Sequence, residues 1–199
     1  LRPNVFMKHL LLIRFSALGD VAMLVPVVAS LMKQYPDIHV TVLSKPFARS
    51  LFEGLSPNVS FMSADLKKDY RGLSGLNALY RRLAAKNFTA VADMHDVLRT
   101  KYLRFRFHLC GFHVAHIDKH RKGKQLLCSE KNKVKVQQPT SFENYAAVLA
   151  KLGYPVSLEF HSIFGEKGGN LRQLMPLIGE KKKFQIGRAS CRERVCLYV

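Results

Sequence analysis

The stretch that decides the fold is His9-Leu-Leu-Leu-Ile13, which runs directly into Arg14-Phe-Ser-Ala-Leu-Gly-Asp20. A continuous apolar run closed by small residues and glycine is typical of a buried parallel strand. The apolar segment Val21–Met32 follows and is predicted to be a helix. Gly19 permits a tight turn, and Asp20 stands where the helix begins, beside backbone N–H groups without partners inside the helix. This arrangement predicts a place that favours negative charge or holds a carboxylate.

Two interpretations of Asp20 compete. Asp is a preferred N-cap residue, because its side chain accepts a hydrogen bond from a free N–H of the first helical turn. The alternative is a carboxylate that is held rigidly at the mouth of a cleft, where it can take part in chemistry. Capping is compatible with the second role, so composition and position leave both interpretations open.

Strand-like and helix-like segments alternate along the rest of the chain. Alternation at this spacing indicates βαβ units, and hence an α/β, Rossmann-like, mainly parallel sheet with helices on both faces. Ligands of such sheets bind outside the carboxyl ends of the strands, so the loops Ser16–Asp20, Asp93–Arg99 and Asp118–Lys124 should line one edge. The predicted strands are Ile38–Leu43, Val59–Met62, Phe88–Ala92 and Phe112–Ile117, and the predicted helices are Pro46–Glu53, Leu73–Lys86, Val97–Cys110 and Ser141–Leu152.

Composition limits the class of protein. Of the 199 residues 48% are apolar, which is typical of one globular domain, and no apolar run reaches the about 18 residues of a membrane-spanning helix. The net charge is +18, and Arg99 to Lys135 holds eleven Lys and Arg against two acids. Concentrated positive charge favours an acidic partner: nucleic acid, an anionic membrane surface or a phosphorylated substrate. Isolated cysteines and the lack of a signal-peptide pattern predict a cytoplasmic protein.

A family resemblance rests on Leu11-Leu-Ile-Arg-Phe-Ser-Ala-Leu-Gly-Asp-Val21, followed by Pro26 and Tyr35-Pro-Asp37. These residues resemble the start of the ADP-heptose:lipopolysaccharide heptosyltransferases of glycosyltransferase family 9. The resemblance covers about Met7 to Ile186 and implies the N-terminal, acceptor-side half of a GT-B enzyme, an inverting glycosyltransferase. It implies an ADP-heptose donor and the acidic, phosphorylated inner core of lipopolysaccharide as acceptor. The corresponding location is the cytoplasm at the inner face of the inner membrane, with peripheral contact to its anionic surface.

The resemblance also implies residue roles. An inverting transferase must remove a proton from the attacking acceptor hydroxyl, and the family's proposed base is the Asp of this turn, here Asp20. Asp93-Met-His-Asp-Val-Leu-Arg99 resembles the family's Asp-x-Gln-Gly-x-x-Arg segment, with His95 and Asp96 where Gln and Gly are usual. Arginine binds carboxylate and phosphate groups bidentately, whereas lysine acts as a point charge. The expected acceptor-binding residues are therefore Ser16, Gly19, His95, Arg99, Arg121, Lys122 and Lys124.

Other kinds of site are less well supported. The first loop has one glycine where a dinucleotide-binding motif has three, and the Gly-Lys-Ser/Thr of a phosphate-binding P-loop is absent from the sequence. His113, His116 and His120 span a strand and a loop, and no Cys or carboxylate pair completes a zinc site, so neither a metal nor a bound cofactor is expected. Cys110 precedes Gly111 at a helix end, which is more typical of a core residue than of a nucleophile.

The alternative from another functional class is a basic, non-catalytic nucleic-acid-binding domain, which the net charge alone favours. The sequence has no RNA-recognition or helix-turn-helix signature, so no specific nucleic acid is expected as a partner. Strongly salt-dependent binding to arbitrary DNA would favour this alternative. Competition by a phosphorylated sugar acid would favour the transferase.

The domain is expected to span residues 7–180, with a truncated interdomain linker and a non-native tail over 181–199. Ile186-Gly-Arg-Ala-Ser-Cys-Arg-Glu-Arg-Val195 resembles the translation of a widely used sequencing adapter and has neither helical nor strand periodicity. We therefore expect residues 187–199 to be an artefact, residues 1–6 to carry no information on the fold, and the donor-binding domain to be missing. Such a fragment should not transfer sugar alone.

Overall fold

The computed structural model of the protein describes residues 8–129 and 135–161, and its centre is a five-stranded sheet. The strands are all parallel and lie in the order β3-β2-β1-β4-β5. The predicted α/β, Rossmann-like architecture is therefore confirmed. The expected linker and tail at 181–199, the end of the domain at 180 and residues 1–6 lie outside the described residues. The strands are β1 (His9–Ile13), β2 (His39–Ser44), β3 (Val59–Ser63), β4 (Ala90–Asp93) and β5 (His113–His116).

Helices cover both faces of the sheet, as the sequence predicts. Leu10 and Leu12 of β1 belong to one buried cluster, whereas Leu11 and Ile13 belong to another, because successive strand side chains point to opposite faces. The first cluster includes residues of α2 and α6, and the second includes residues of α3 and α4. The helices are α1 (Leu18–Ala22), α2 (Leu24–Gln34), α3 (Gly72–Ala84), α4 (Leu98–Leu109), α5 (Arg121–Cys128) and α6 (Ser141–Lys151), with a 3-10 helix at Pro46–Leu51.

The helix predicted over Val21–Met32 is in fact two helices, α1 and α2, which meet at Met23. Pro26 is the third residue of α2 and has no N–H to donate to the carbonyl of Ala22, one turn earlier. The first turn after β1 is therefore a short separate helix, and its N-terminus faces the carboxyl edge of the sheet.

A second difference concerns the segment Asp118–Lys124, which the sequence predicts to be a polar loop. Only its first part is a loop, because α5 begins at Arg121. The chain turns at His120, whose φ is +47°, and the Asp118 carboxylate accepts the His120 N–H at 2.8 Å. Gly123 and the cluster of cations are typical of a loop, although the residues that follow, Lys124, Gln125 and Leu126, are good helix formers.

The last described helix, α6, has a capping box at its start. Thr140 Oγ1 accepts the Glu143 N–H at 3.3 Å, and Glu143 Oε2 accepts the Thr140 N–H at 2.6 Å. The helix packs against α2 and β5 and carries Tyr145 to the start of α1. Within the described part of the chain, no helix is long and apolar enough to cross a membrane.

Candidate active site

The topology creates a crevice between β1 and β4. Strand order runs from β1 to β3 on one side and through β4 and β5 on the other, so the connections leave in opposite directions at this point. In open parallel sheets, ligands bind outside the carboxyl ends of the strands at such a reversal. A loop from Arg14 to Ala17 and the start of α1 follow β1, and the loop Met94–Val97 follows β4. Two of the three predicted loops therefore meet at the crevice, and the third follows β5 beside them.

The Asp20 carboxylate is held from two sides at this crevice. Its Oδ2 accepts the Ala17 N–H at 3.2 Å and lies 2.5 Å from Nη2 of Arg14. Ala17 is the N-cap and Asp20 the third residue of α1, so the interpretation of Asp20 as the N-cap is wrong, although its side chain does satisfy an N–H of the helix start. Oδ1 makes no hydrogen bond with residues of the described ranges, and the side chain is 38% exposed. One carboxylate oxygen is thus fixed and the other is open.

Arg14 is a site residue that the sequence analysis did not single out. Its side chain is buried, Nη1 donates to the Met94 carbonyl at 2.5 Å, and the guanidinium lies 5.8 Å from the centre of the Tyr145 ring. A buried cation is costly unless it is paired, so Arg14 and Asp20 depend on each other. The sequence does contain a signal for this role, because Arg14 directly follows the apolar strand residues Leu10–Ile13. A charged residue that is buried at such a place needs an acid nearby.

The loop after β4 is built on Asp93, which is completely buried. Its Oδ1 accepts the N–H groups of His95 and Asp96, both at 2.9 Å, and its Oδ2 pairs with Arg104 at 3.3 Å. Asp96 has a φ of +47°, a conformation that glycine adopts more readily. The Gly of the resembled segment would fit this position, and Asp96 instead adds ion pairs to Arg104 and Lys101.

His95 and Ser16 meet across the crevice from the two loops. Nε2 of His95 lies 3.3 Å from Oγ of Ser16, and only 9% of the His95 residue is exposed. Burial lowers the pKa of His95 to about 4, and the nearby cations Arg14 and Lys119 act in the same direction. The imidazole is therefore neutral at physiological pH, with one nitrogen as donor and one as acceptor. Nδ1 is buried and has no partner among the described residues.

A basic cleft of about 640 Å³ opens beside the crevice, at the end of β5. Lys119 enters from this side and donates Nζ to the Asp96 carbonyl at 3.1 Å, although the sequence analysis did not select it. Burial lowers the pKa of Lys119, Asp96 opposes this change, and Arg121 adds to it. The cleft residues are Asp96, His116, Ile117, Asp118, Lys119, His120, Arg121, Lys122, Gly123, Gln138 and Lys151.

The structure separates the predicted acceptor-binding residues into groups. Arg121 and Lys122 line the basic cleft, whereas Lys124 is exposed on α5 and is not among the lining residues. Arg99 is exposed in the first turn of α4 and makes no hydrogen bond or ion pair within residues 8–129 and 135–161. Gly19 lies in the first turn of α1, and nothing stands within 4 Å of the place where a Cβ would be. Space is thus open next to Asp20.

Of the three histidines considered as metal ligands, His116 and His120 line the basic cleft, and His113 is exposed at the start of β5. His120 Nε2 lies 2.9 Å from the side-chain oxygen of Asn144. Over the part of the chain that the structure describes, no three His, Cys, Asp or Glu side chains form a group that could hold a metal ion. Cys110 is exposed at the end of α4, so its prediction as a core residue is wrong; its sulfur accepts a hydrogen bond from Tyr80.

Comparisons with known proteins agree with the resemblance seen in the first loop. No family model matches the chain. The lipopolysaccharide core heptosyltransferase OpsX of Haemophilus influenzae is 28% identical over 96 residues, which are 48% of this chain and 26% of OpsX. A family 9 glycosyltransferase structure from Veillonella parvula superposes with a TM-score of 0.60 at 20% identity, covering 94% of this chain and 56% of that one.

The E. coli heptosyltransferase WaaC, solved with ADP, superposes with a TM-score of 0.53 at 18% identity, over 78% of this chain and 50% of WaaC. The chain thus spans about half the length of the solved structures that it matches. In fold it is α/β and Rossmann-like, like these glycosyltransferases. In sequence and in fold, this chain resembles the heptosyltransferases of glycosyltransferase family 9.

Proposed function

We propose that this chain is the acceptor-binding part of a glycosyltransferase that moves heptose from ADP-heptose to the inner core of lipopolysaccharide, with inversion at the anomeric carbon. The observation that carries the proposal is the Asp20 carboxylate at the β1/β4 crevice, fixed through Oδ2 and open at Oδ1. The similarity to a lipopolysaccharide core heptosyltransferase supports the choice of substrate class. We propose that the donor is bound by residues that correspond to the other half of these glycosyltransferases.

Asp20 is the general base of the proposed reaction. Oδ1 accepts the proton of the acceptor hydroxyl while the hydroxyl oxygen forms a bond to the anomeric carbon of the donor. The bond from that carbon to the leaving ADP breaks, and ADP departs with the electron pair. Arg14 holds Oδ2, so the carboxylate keeps one orientation without a contribution from the substrate.

The acceptor would lie across the crevice and the basic cleft. Lys119, Arg121 and Lys122 supply positive charge for its phosphate and carboxylate groups. Neutral His95 orients the Ser16 hydroxyl, which can hydrogen-bond a sugar hydroxyl without adding a charge beside Asp20. Arg99 is an exposed cation at the same edge and Lys124 lies on the outer side of α5, so both would serve peripheral parts of the acceptor or the anionic membrane surface.

The experiment compares the 199-residue chain with the longest protein that its gene encodes. Heptose transfer from ADP-heptose to heptose-deficient lipopolysaccharide and binding of the acceptor are both measured for the two proteins. We expect transfer by the longer protein only and acceptor binding by both. Salt-sensitive binding of arbitrary DNA, with no competition by the phosphorylated acceptor, would instead support a nucleic-acid-binding domain.

A further inference from the structure

A second polar pocket lies on the sheet, at the amino ends of β1 and β2 and along the edge strand β3. It has a volume of about 220 Å³. Three strands contribute to it: His9 begins β1, His39 begins β2 and Ser60 is the second residue of β3. The pocket extends along β3 to Ser63, but none of its lining residues belongs to the active-site loops or to the basic cleft, so the two sites are separate. The pocket residues are His9, His39, Thr41, Arg49, Ser60, Phe61, Met62, Ser63, Arg82 and Lys86.

The polar side chains of this pocket stand where a buried parallel sheet normally carries apolar ones. By strand alternation they share the face of Leu11, Leu43 and Met62, which belong to the core under α3 and α4. His9 is paired in register with His39, and Thr41 with Ser60. Departures of this kind from the apolar pattern tend to mark a functional site.

The four side chains bond to one another in pairs. His9 Nε2 lies 2.8 Å from Thr41 Oγ1, and His39 Nε2 lies 2.8 Å from Ser60 Oγ. The two imidazole rings meet edge to face, with centroids 4.7 Å apart. Burial lowers the pKa of His9, and the neighbouring His39 acts in the same direction, whereas a hydrogen bond with the Lys86 backbone opposes this change. A grid of fixed hydroxyl and imidazole groups therefore forms the floor of the pocket.

The rim of the pocket is cationic. Arg82 Nη1 donates to the Tyr70 hydroxyl, and Lys86 makes no side-chain hydrogen bond or ion pair within the described residues. Arg49 has an acid partner, Glu53, but only at 3.8 Å. Among the described residues, those that line the pocket include no Asp or Glu. Uncompensated cations around polar donors attract an anion, and arginine and lysine are the usual ligands of phosphate.

We propose that this pocket binds a small phosphate-bearing anion between the His9/His39 floor and the cations Arg82 and Lys86. The volume is below that of pockets for drug-sized ligands but offers room for phosphate or pyrophosphate. The anion would offset the mutual repulsion of the rim and accept charge-assisted hydrogen bonds from Arg82 and Lys86. The proposal is independent of the transferase function, because none of these residues belongs to the crevice or the basic cleft.

The test is a titration of the 199-residue chain with pyrophosphate, followed by NMR of the histidine rings. The chain carries Arg121→Ser and Lys122→Ser throughout, so that binding in the basic cleft does not contribute. We expect saturable shifts of the His9 and His39 signals. Arg82→Gln with Lys86→Gln should raise the apparent Kd by about tenfold or more, because charge-assisted hydrogen bonds are lost.

The matched control is Arg81→Gln with Lys68→Gln, which removes the same charge from exposed positions that do not line the pocket. It should leave the Kd nearly unchanged. Equal weakening by both pairs of substitutions, or histidine signals that do not move, would overturn the proposal. Unchanged histidine spectra of the variants without ligand show that they are folded.

Two sources could supply the phosphate: a soluble phosphate compound or a phospholipid headgroup. Vesicles of phosphatidylcholine with phosphatidylglycerol are added to the pyrophosphate complex, and vesicles of phosphatidylcholine alone serve as the control. Displacement of pyrophosphate by the anionic vesicles only would assign the pocket to a headgroup. Retention of pyrophosphate in both cases would assign it to a soluble phosphate.

Discussion

Arg14 and Asp20 form an ion pair of 2.5 Å between the end of the first strand and the first helix of the chain. Arg14 is buried, and Asp20 is its acid partner within the part of the chain that the structure describes. The guanidinium also bonds the Met94 carbonyl, so it links the loops after β1 and β4. These contacts hold the Asp20 carboxylate at the crevice. Its position therefore follows from the folding of the sheet and does not require a substrate.

The first prediction concerns the contacts of Arg14 with Asp20 and with the Met94 carbonyl. Arg14→Lys keeps the charge, but one ammonium cannot reproduce the two directed bonds to Asp20 and Met94. We expect the free energy of unfolding to fall by about 2 kcal/mol, measured by urea denaturation. Arg99→Lys is the control, because Arg99 is exposed and unpaired within the described ranges, and its effect should stay below about 0.5 kcal/mol. Equal effects of the two substitutions would contradict the structural role of Arg14.

The second prediction concerns acid stability. The pKa of His95 is about 4 in the folded chain, against 6.5 for an ordinary histidine. Between these values the unfolded chain binds a proton that the folded chain does not, so stability falls as the pH falls from 6.5 towards 4, by up to about 1.4 kcal/mol per pH unit. His95→Gln removes this titration, and Gln is the residue usual in the resembled segment.

The comparison is made by urea denaturation at pH 7 and pH 5, with the other histidines present in both proteins. Wild type should lose about 2 kcal/mol more than His95→Gln over this interval. The same loss in both proteins would show that His95 is not held neutral by its burial.

The third prediction separates the basic residues of α5. Arg121→Ser with Lys122→Ser should weaken acceptor binding by about tenfold or more, because both cations line the basic cleft. Lys124→Ser removes an exposed cation of the same helix that does not line the cleft, and should change binding by about twofold or less. Titration calorimetry with a phosphorylated inner-core oligosaccharide measures the acceptor affinity of both variants. If Lys124→Ser weakened binding as much as the double substitution, the cleft would not be the acceptor site.

The fourth prediction concerns the support of Asp20 from α6. The Tyr145 hydroxyl donates to the Asp20 carbonyl at 3.1 Å, and burial raises the pKa of Tyr145 to about 12. Tyr145→Phe should lower the free energy of unfolding by about 1 kcal/mol through loss of this hydrogen bond. The control is Tyr154→Phe, since the Tyr154 hydroxyl makes no hydrogen bond with the described residues. If chemical denaturation showed both variants to be as stable as wild type, the Tyr145 hydroxyl would not contribute to holding α1 in place.

Apolar patterning was sufficient to predict the sheet. Runs such as His9–Ile13 and Phe88–Ala92 read as buried strands, and their alternation with helices predicted parallel pairing. The start of α5 was missed because Gly123 and four nearby cations resemble a loop, whereas the helix depends on the turn that Asp118 makes with His120. The helix propensities of the individual residues do not reveal this turn between Asp118 and His120.

The candidate site was predicted in part for the same reason. Asp20 could be selected from its turn, and Ser16 and His95 from their loops, because strand ends define one edge of a parallel sheet. Arg14 and Lys119 could not be, since their importance comes from partners across the crevice, the Met94 and Asp96 carbonyls. The sequence also could not show that Lys124 and Lys122 face different surroundings on one short helix.

The central claim is that Asp20 is the base of a heptosyl transfer, and kcat of Asp20→Asn tests it most directly. Asn has nearly the same shape and retains an oxygen, so it leaves the crevice in place but cannot take a proton. In the longest protein that the gene encodes, kcat for transfer from ADP-heptose should fall by about 100-fold or more, with acceptor affinity unchanged. A kcat within a few-fold of wild type, or no heptose transfer by the wild-type protein, would contradict the account.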